Sequence, residues 1–229
     1  MTTPDDVDLD RVWTNVAAQV WRRHPGRLER SAARLLKSPG LARALLTTPS
    51  LLLPWLVSTV VILSAGGMVR LVSGESTVWL VAPVIAAIGI AYAYGPGIDP
   101  AWELSRSLAV SDRLVLLVRA LAVFALDAAL GLAASAASGA AVGITFGWLV
   151  PMTALCALAL AVATVSRSAN AGVAAGVAGW ALIVLSEQAA TGRFAAAVSD
   201  SALLLPYLAV AVICVGVALY ATRIPREVP

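Results

Sequence analysis

The longest uncharged stretch of the chain decides its fold class. Residues 128–166 read AALGLAASAASGAAVGITFGWLVPMTALCALALAVATVS, with no charged side chain among them. Four other uncharged stretches cover residues 44–69, 76–98, 168–186 and 201–222. A helix that crosses a bilayer needs roughly 20 apolar residues. The stretch 128–166 is therefore too long for one crossing and suits two, divided near residues 139–143.

The five stretches together predict an all-α integral membrane protein with six transmembrane helices. The composition agrees, because 60% of the residues are hydrophobic and only 13% are charged, which excludes an ordinary soluble domain. The predicted membrane domain covers residues 48–222, and its spans cover residues 50–69, 78–98, 114–138, 144–165, 169–186 and 202–221.

The sixteen Lys and Arg residues predict the orientation of these spans. If the N-terminus is cytoplasmic, fourteen of the sixteen fall in cytoplasmic segments, and only Arg70 and Arg193 fall outside. The positive-inside rule therefore predicts that both termini, including the tail 223–229, are cytoplasmic. All but one of the sixteen are arginines, which suggests a GC-rich bacterial genome and hence the bacterial cytoplasmic (inner) membrane.

Residues 1–47 are predicted to form a cytoplasmic or interfacial segment of amphipathic helices. One apolar face runs from Leu9 to Val20, and Pro25–Gly26 ends that helix. In the next helix, apolar positions lie opposite a basic cluster of Arg27, Arg30, Arg34 and Lys37. A basic amphipathic helix before a span is expected to lie among the headgroups of membrane lipid. A docking surface for a cytoplasmic partner is a compatible alternative.

The polar segment between spans 2 and 3 is predicted to contain a short helix. Asp99 followed by Pro100 is a typical helix start, with an N-cap and then a proline at the first helical position. That helix can run to Leu108, and Ser111 can cap the helix that becomes span 3. A short helix fixed between two spans could transmit a movement of a soluble partner to both spans. The alternative is an interfacial loop helix without a partner.

In this segment the chain resembles the permeases of the second ABC exporter superfamily (ABC-2-type permeases). Those permeases have an acidic start, a Glu-Leu-Leu-type helix, a Pro/Ala-Val-Ser-Arg-like turn and an apolar helix with an early basic residue. The corresponding residues here are Asp99, Trp102-Glu103-Leu104, Leu108-Ala-Val-Ser-Asp-Arg113, and Leu114–Val118 with Arg119. The six spans, the cytoplasmic termini and a tight turn at residues 166–170 are also similar. Residues 187–200 stand where the family has a large extracellular domain and a re-entrant hairpin.

The resemblance implies the transmembrane subunit of an ATP-driven exporter that pairs with a second copy or a sister permease subunit. A separate ABC ATPase subunit would bind ATP and Mg²⁺, because this chain has no Gly-x-x-x-x-Gly-Lys-Ser/Thr loop and a single lysine. We expect no catalytic residue, cofactor, metal site or nucleic-acid partner in this chain itself. The residues expected to couple to the ATPase are Asp99, Trp102, Glu103, Leu104, Arg106 and Arg113.

The alternative is a non-transporting membrane sensor or anchor that recruits a regulator through its basic N-terminal helices. The segment 99–113 discriminates between the two, because a transporter needs a coupling helix there whereas a sensor would tolerate a polar linker. A proton-coupled carrier is a third interpretation. It rests on Asp127 alone, and the lack of a visible internal repeat counts against it.

Asp127 is the one ionisable residue that the pattern places clearly within a span. An intramembrane carboxylate is costly and is therefore a functional candidate, although a structural role is the alternative. Arg119, about two turns away, is expected to reach the inner interface. Trp148 and Tyr94 lie near predicted span ends, where aromatic rings form an interfacial belt.

Small residues recur at four-residue spacing in spans 3 and 5. Such faces let helix backbones approach closely, either within one bundle or at a dimer contact. The candidates for helix packing are Gly131, Ser135 and Gly139 in span 3 and Gly172 and Gly176 in span 5.

Overall fold

A computed structural model describes residues 27–37, 49–73, 77–94, 112–137, 146–194 and 196–222. The chain divides into two compact units, Met1–Thr47 and Thr48–Pro229. In the first unit the described residues form one helix, α1 (Arg27–Leu36). This is the second of the two amphipathic helices that the sequence predicts.

The described residues of the second unit form helices and contain no strand. The helices are α2 (Pro49–Ser73), α3 (Val78–Ala93), α4 (Asp112–Ala137), α5 (Leu149–Ser166), α6 (Ala169–Thr191), α7 (Ala196–Ser199) and α8 (Leu204–Ala221), and the 3₁₀ turn Ser201–Leu203 precedes α8.

Four helical segments in the described part of the chain have the length and apolar composition that a bilayer crossing requires. They are Leu116–Ala137, Leu149–Ser166, Ala169–Thr191 and Ser201–Ala221. Two shorter apolar segments, Leu56–Gly66 within α2 and Val78–Ala93, accompany them.

Helices α3 and α5 occupy the centre of the second unit. α3 packs against α2, α4, α5 and α6, while α5 packs against α3, α6 and α8. Both central helices lack charged residues and are rich in alanine. Small uncharged side chains allow several neighbouring helices to approach one helix at once, which explains why these two segments take the central positions.

Helices α3, α5 and α6 make a close contact that we call the glycine seam: Ala87, Ala91, Ala159, Gly172 and Gly176. A Cβ atom at Gly172 would lie 2.6 Å from the Ala159 carbonyl oxygen and 3.1 Å from the Ala91 Cβ. A Cβ atom at Gly176 would lie 3.0 Å from the Ala87 Cβ. A side chain at Gly172 would force the helices apart, and one at Gly176 would be tightly packed against Ala87.

A buried hydrogen bond also joins α6 to α3. The Trp180 indole Nε1 donates to the Leu80 carbonyl at 2.8 Å, and Trp180 is 3% exposed. Leu80 lies one turn before Pro83, which is inside α3. A proline has no N–H to donate and disturbs the preceding turn. The Trp180 indole supplies a donor to a carbonyl group in that turn of α3.

The helix ends differ from the predicted spans where local capping decides them. The fifth span was expected to end at residue 186, but α6 continues to Thr191 and ends at Gly192, whose φ of 70° is left-handed. The fourth was expected from residue 144, whereas α5 begins at Leu149 and has Pro151 in its first turn. Proline is tolerated in the first helical turn, where the N–H groups have no helical acceptor.

The predicted tight turn between spans 4 and 5 is confirmed. Only Arg167 and Ser168 separate α5 from α6, and Arg167 has a left-handed φ of 56°. The Ser168 side chain caps α6 by accepting from the Ala171 N–H. A serine N-cap satisfies a backbone donor that the helix itself cannot.

Candidate functional site

Most of the predicted coupling residues lie outside the described part of the chain. Five of the six fall between α3 and α4: Asp99, Trp102, Glu103, Leu104 and Arg106. Arg113 is the second residue of α4. The described neighbours of this segment are therefore the two helices that it joins, and these helices pack against each other.

The first unit presents a basic face on α1. Arg27, Arg30 and Arg34 are exposed, as is Lys37 immediately after the helix. The Ser31 hydroxyl donates to the Arg27 carbonyl at 3.1 Å, and the three arginines line one shallow depression with Ser31. Guanidinium groups arranged in this way can bind phosphate or carboxylate groups.

Asp127 lies in the interior of the second unit, where it is 1% exposed. The Ser58 hydroxyl of α2 faces its carboxyl group. On the α3 side, a Cβ atom at Gly89 would lie 3.3 Å from Asp127 Oδ2. Among the residues that the structure describes, neither carboxyl oxygen has a hydrogen-bond partner. The carboxyl group thus lies where α2, α3 and α4 meet.

Asp127 belongs to a buried line of residues along α4, which we call the polar stripe. Its members lie four residues apart along α4, and all of them face the interior: Arg119, Val123, Asp127, Gly131 and Ser135. Arg119 is 2% exposed and Ser135 is 1% exposed. The four-residue spacing places Arg119 on the same buried face as Asp127, and its expected reach to the inner interface stays a prediction.

Trp148 covers the polar stripe one turn beyond Asp127. Its ring is fully buried, and its Cη2 atom would lie 2.5 Å from a Cβ atom at Gly131. The indole Nε1 has no hydrogen-bond partner within the described ranges. Trp148 and Tyr94 both lie at helix ends, and neighbouring helices cover both rings, with Tyr94 2% exposed. Their interfacial depth stays a prediction.

The candidate packing residues fall into two different environments. Gly172 and Gly176 form the glycine seam, whereas Gly131 and Ser135 belong to the polar stripe. Gly139 lies outside the described residues. The described members of the set therefore all lie against neighbouring helices of the same chain or are buried among them.

Sequence reasoning missed the residues that contact Asp127 from other helices. Ser58 is one of several hydroxyl residues in an apolar span, and Gly89 is one of many small residues in another. No local pattern distinguishes either of them. Alignment of their two helices against α4 is required to bring them together.

Comparisons with known proteins assign no relative to this chain. No family model matches it, and no match is found among curated proteins or among solved structures.

Proposed function

We propose that the chain is a six-span membrane protein acting as the transmembrane subunit of an ATP-driven ABC exporter. Helices α2, α3, α4, α5, α6 and α8 would be the six spans. In this proposal both termini and the segment between α3 and α4 are cytoplasmic, as the distribution of Lys and Arg favours. The membrane would be the bacterial inner membrane.

The central position of α3 carries this proposal. α3 packs against four other helices, and the segment 95–111 continues directly from its end region into α4. A force applied to that segment would act on a helix that packs against four others. A peripheral helix could move without rearranging the others, whereas α3 could not. This favours a coupling element over a passive linker at residues 99–113.

The remaining parts of the exporter would come from partners. A separate ABC ATPase subunit would bind ATP and Mg²⁺ and contact Trp102 and Leu104, with Glu103 and Arg106 at the polar rim of the contact. A second copy of this chain or a sister permease would complete the transport path. The chain itself would have no enzymatic activity.

The alternative function is a membrane sensor or anchor that recruits a regulator through α1. The exposed basic face of Arg27, Arg30 and Arg34 favours this alternative. An acidic or phosphorylated partner could bind there without any movement of the membrane helices.

The distinguishing experiment is purification of the complex in mild detergent with Trp102→Ala. A buried aromatic anchor at an interface contributes about 2 kcal/mol or more to binding, which is about 30-fold in Kd. The variant should lose ATPase copurification or stimulated ATP turnover while the chain remains folded in the membrane. Trp79→Ala is the matched control, because Trp79 lies in the first turn of α3, at the opposite end of that helix.

A parallel variant tests the sensor alternative in the same preparation. The double substitution Arg30→Ala and Arg34→Ala removes most of the exposed charge of α1. If partner retention depends on these arginines and is unaffected by Trp102→Ala, the exporter proposal is wrong and the anchor function is supported.

A further inference from the structure

The polar stripe of α4 places three polar residues, Arg119, Asp127 and Ser135, on the buried face of a helix in a mainly apolar bundle. From Arg119 to Ser135 it is about 24 Å long at the α-helical rise, close to the hydrocarbon thickness of about 30 Å. Its central member, Asp127, lies where three helices meet. A buried polar group is retained only where its cost is offset or where it has a function.

Among the residues that the structure describes, the helices packed around Asp127 carry few charged residues. α3 and α5 contain no charged residue, and the only charged residue of α2 is Arg70, twelve positions beyond Ser58. On α4 itself the nearest charge is Arg119, about two turns away. On α5 the titratable group is the buried thiol of Cys156. An ionised carboxylate in this environment would be very costly.

A metal ion does not suit this position. Hard cations such as Mg²⁺ or Ca²⁺ take six or more oxygen ligands, whereas the described groups are the two Asp127 oxygens and the Ser58 hydroxyl. No group of three or more His, Cys, Asp or Glu side chains within the described part of the chain could hold a metal ion. The carboxyl group also lies directly against the Gly89 backbone on its other side. A proton is the one cation that needs no additional ligands or space.

We propose that Asp127 is a proton-binding site whose occupancy is coupled to the packing of α2 and α3 on α4. With the helices as observed, the carboxyl group carries a proton and lies opposite the Ser58 hydroxyl. When α2 separates from α4, water enters, the carboxyl O–H bond breaks, the proton passes to water, and the carboxylate is hydrated. Return of the proton reverses these steps. This inference holds whether or not the chain partners an ATPase.

The buried indole N–H of Trp148 supports the same interpretation. It lies one turn further along the polar stripe and, like the carboxyl group, has no partner in the described ranges. Two polar groups on successive turns that lack protein partners are suitable contacts for entering water, which makes about three hydrogen bonds when it is buried in proteins.

Infrared spectroscopy of the full chain at neutral pH tests the proposal directly. A protonated carboxylic acid has a carbonyl stretching band distinct from that of a carboxylate. We expect this band in the wild type and its loss in Asp127→Asn. Asp200→Asn is the matched control, because Asp200 is exposed and should contribute only to the carboxylate band.

Ser58→Ala provides a second measurement in case Asp127→Asn does not fold. Loss of the hydroxyl should keep the acid band and shift its frequency, because the Ser58 hydroxyl is the polar group that faces the carboxyl group. The proposal is overturned if the wild type has no acid band at neutral pH, if the band survives in folded Asp127→Asn, or if Ser58→Ala leaves its frequency unchanged.

Discussion

The two sides of α3 form contacts of opposite character. Towards α5 and α6, the glycine seam brings backbones together through Ala87, Gly172 and Gly176, without a charged group. Towards α2 and α4, the contact surrounds the buried carboxyl group of Asp127. The first contact gains dispersion energy from close approach, whereas the second retains a group that is costly to bury. We infer that the glycine seam is permanent and that movement occurs between α3, α2 and α4.

The largest effect is expected from Gly172→Ala in the glycine seam. The added methyl group would meet the Ala159 carbonyl oxygen at 2.6 Å and the Ala163 Cβ at 2.9 Å, and neither atom can turn away because neither has a free rotation. We expect a loss of about 2 kcal/mol in the free energy of unfolding in detergent. Gly216→Ala is the matched control, because no atom lies within 4 Å of its Cβ position.

The control substitution should also change the unfolding free energy in a known direction. Alanine is the better helix former, so Gly216→Ala in α8 should be neutral or more stable by about 0.5 kcal/mol. Equal losses for Gly172→Ala and Gly216→Ala would mean that the close approach of α5 and α6 does not stabilise the bundle.

A smaller effect is expected from Gly89→Ala on the other side of α3. Its methyl group would meet Val123 Cγ1 at 2.9 Å and Asp127 Oδ2 at 3.3 Å. Both are side-chain atoms that can move, so we expect a loss of about 1 kcal/mol in unfolding free energy. A loss greater than that of Gly172→Ala would reverse the assignment of the rigid and movable sides.

The smallest expected effect is the difference in unfolding free energy between variants of the two buried tryptophans. Trp180→Phe removes the hydrogen bond to the Leu80 carbonyl and should lower the unfolding free energy by about 1 kcal/mol. Trp148→Phe removes an indole N–H that has no partner in the described residues and should cost less. Thermal unfolding of both variants in the same detergent checks the difference, and a larger loss for Trp148→Phe would contradict the hydrogen-bond assignment at Trp180.

The sequence predicted features that depend on local pattern. Uncharged runs predicted the apolar helices, and the family resemblance predicted the tight turn at residues 166–170. The four-residue spacing also grouped Gly131 and Ser135 on one face and Gly172 and Gly176 on another. These inferences need only helical periodicity, which is a property of each segment alone.

Features that depend on pairing between helices could not be predicted in this way. Nothing in the sequence near Trp148 indicates that its ring covers Gly131. The same holds for the contact of Ser58 with Asp127 and for the burial of Arg119. Each requires the relative rotation of two helices, which a periodic pattern does not contain.

The most direct test of the account is the side of the membrane on which residues 99–113 lie. In a chain with Cys156→Ala and Cys214→Ala, single cysteines at Gly74, Ser105 and Thr191 would be treated with a membrane-impermeant thiol reagent in intact cells. We predict labelling at Gly74 and Thr191 and none at Ser105 until the membrane is opened. Labelling of Ser105 from outside would contradict the proposed topology and the access of an ATPase to this segment.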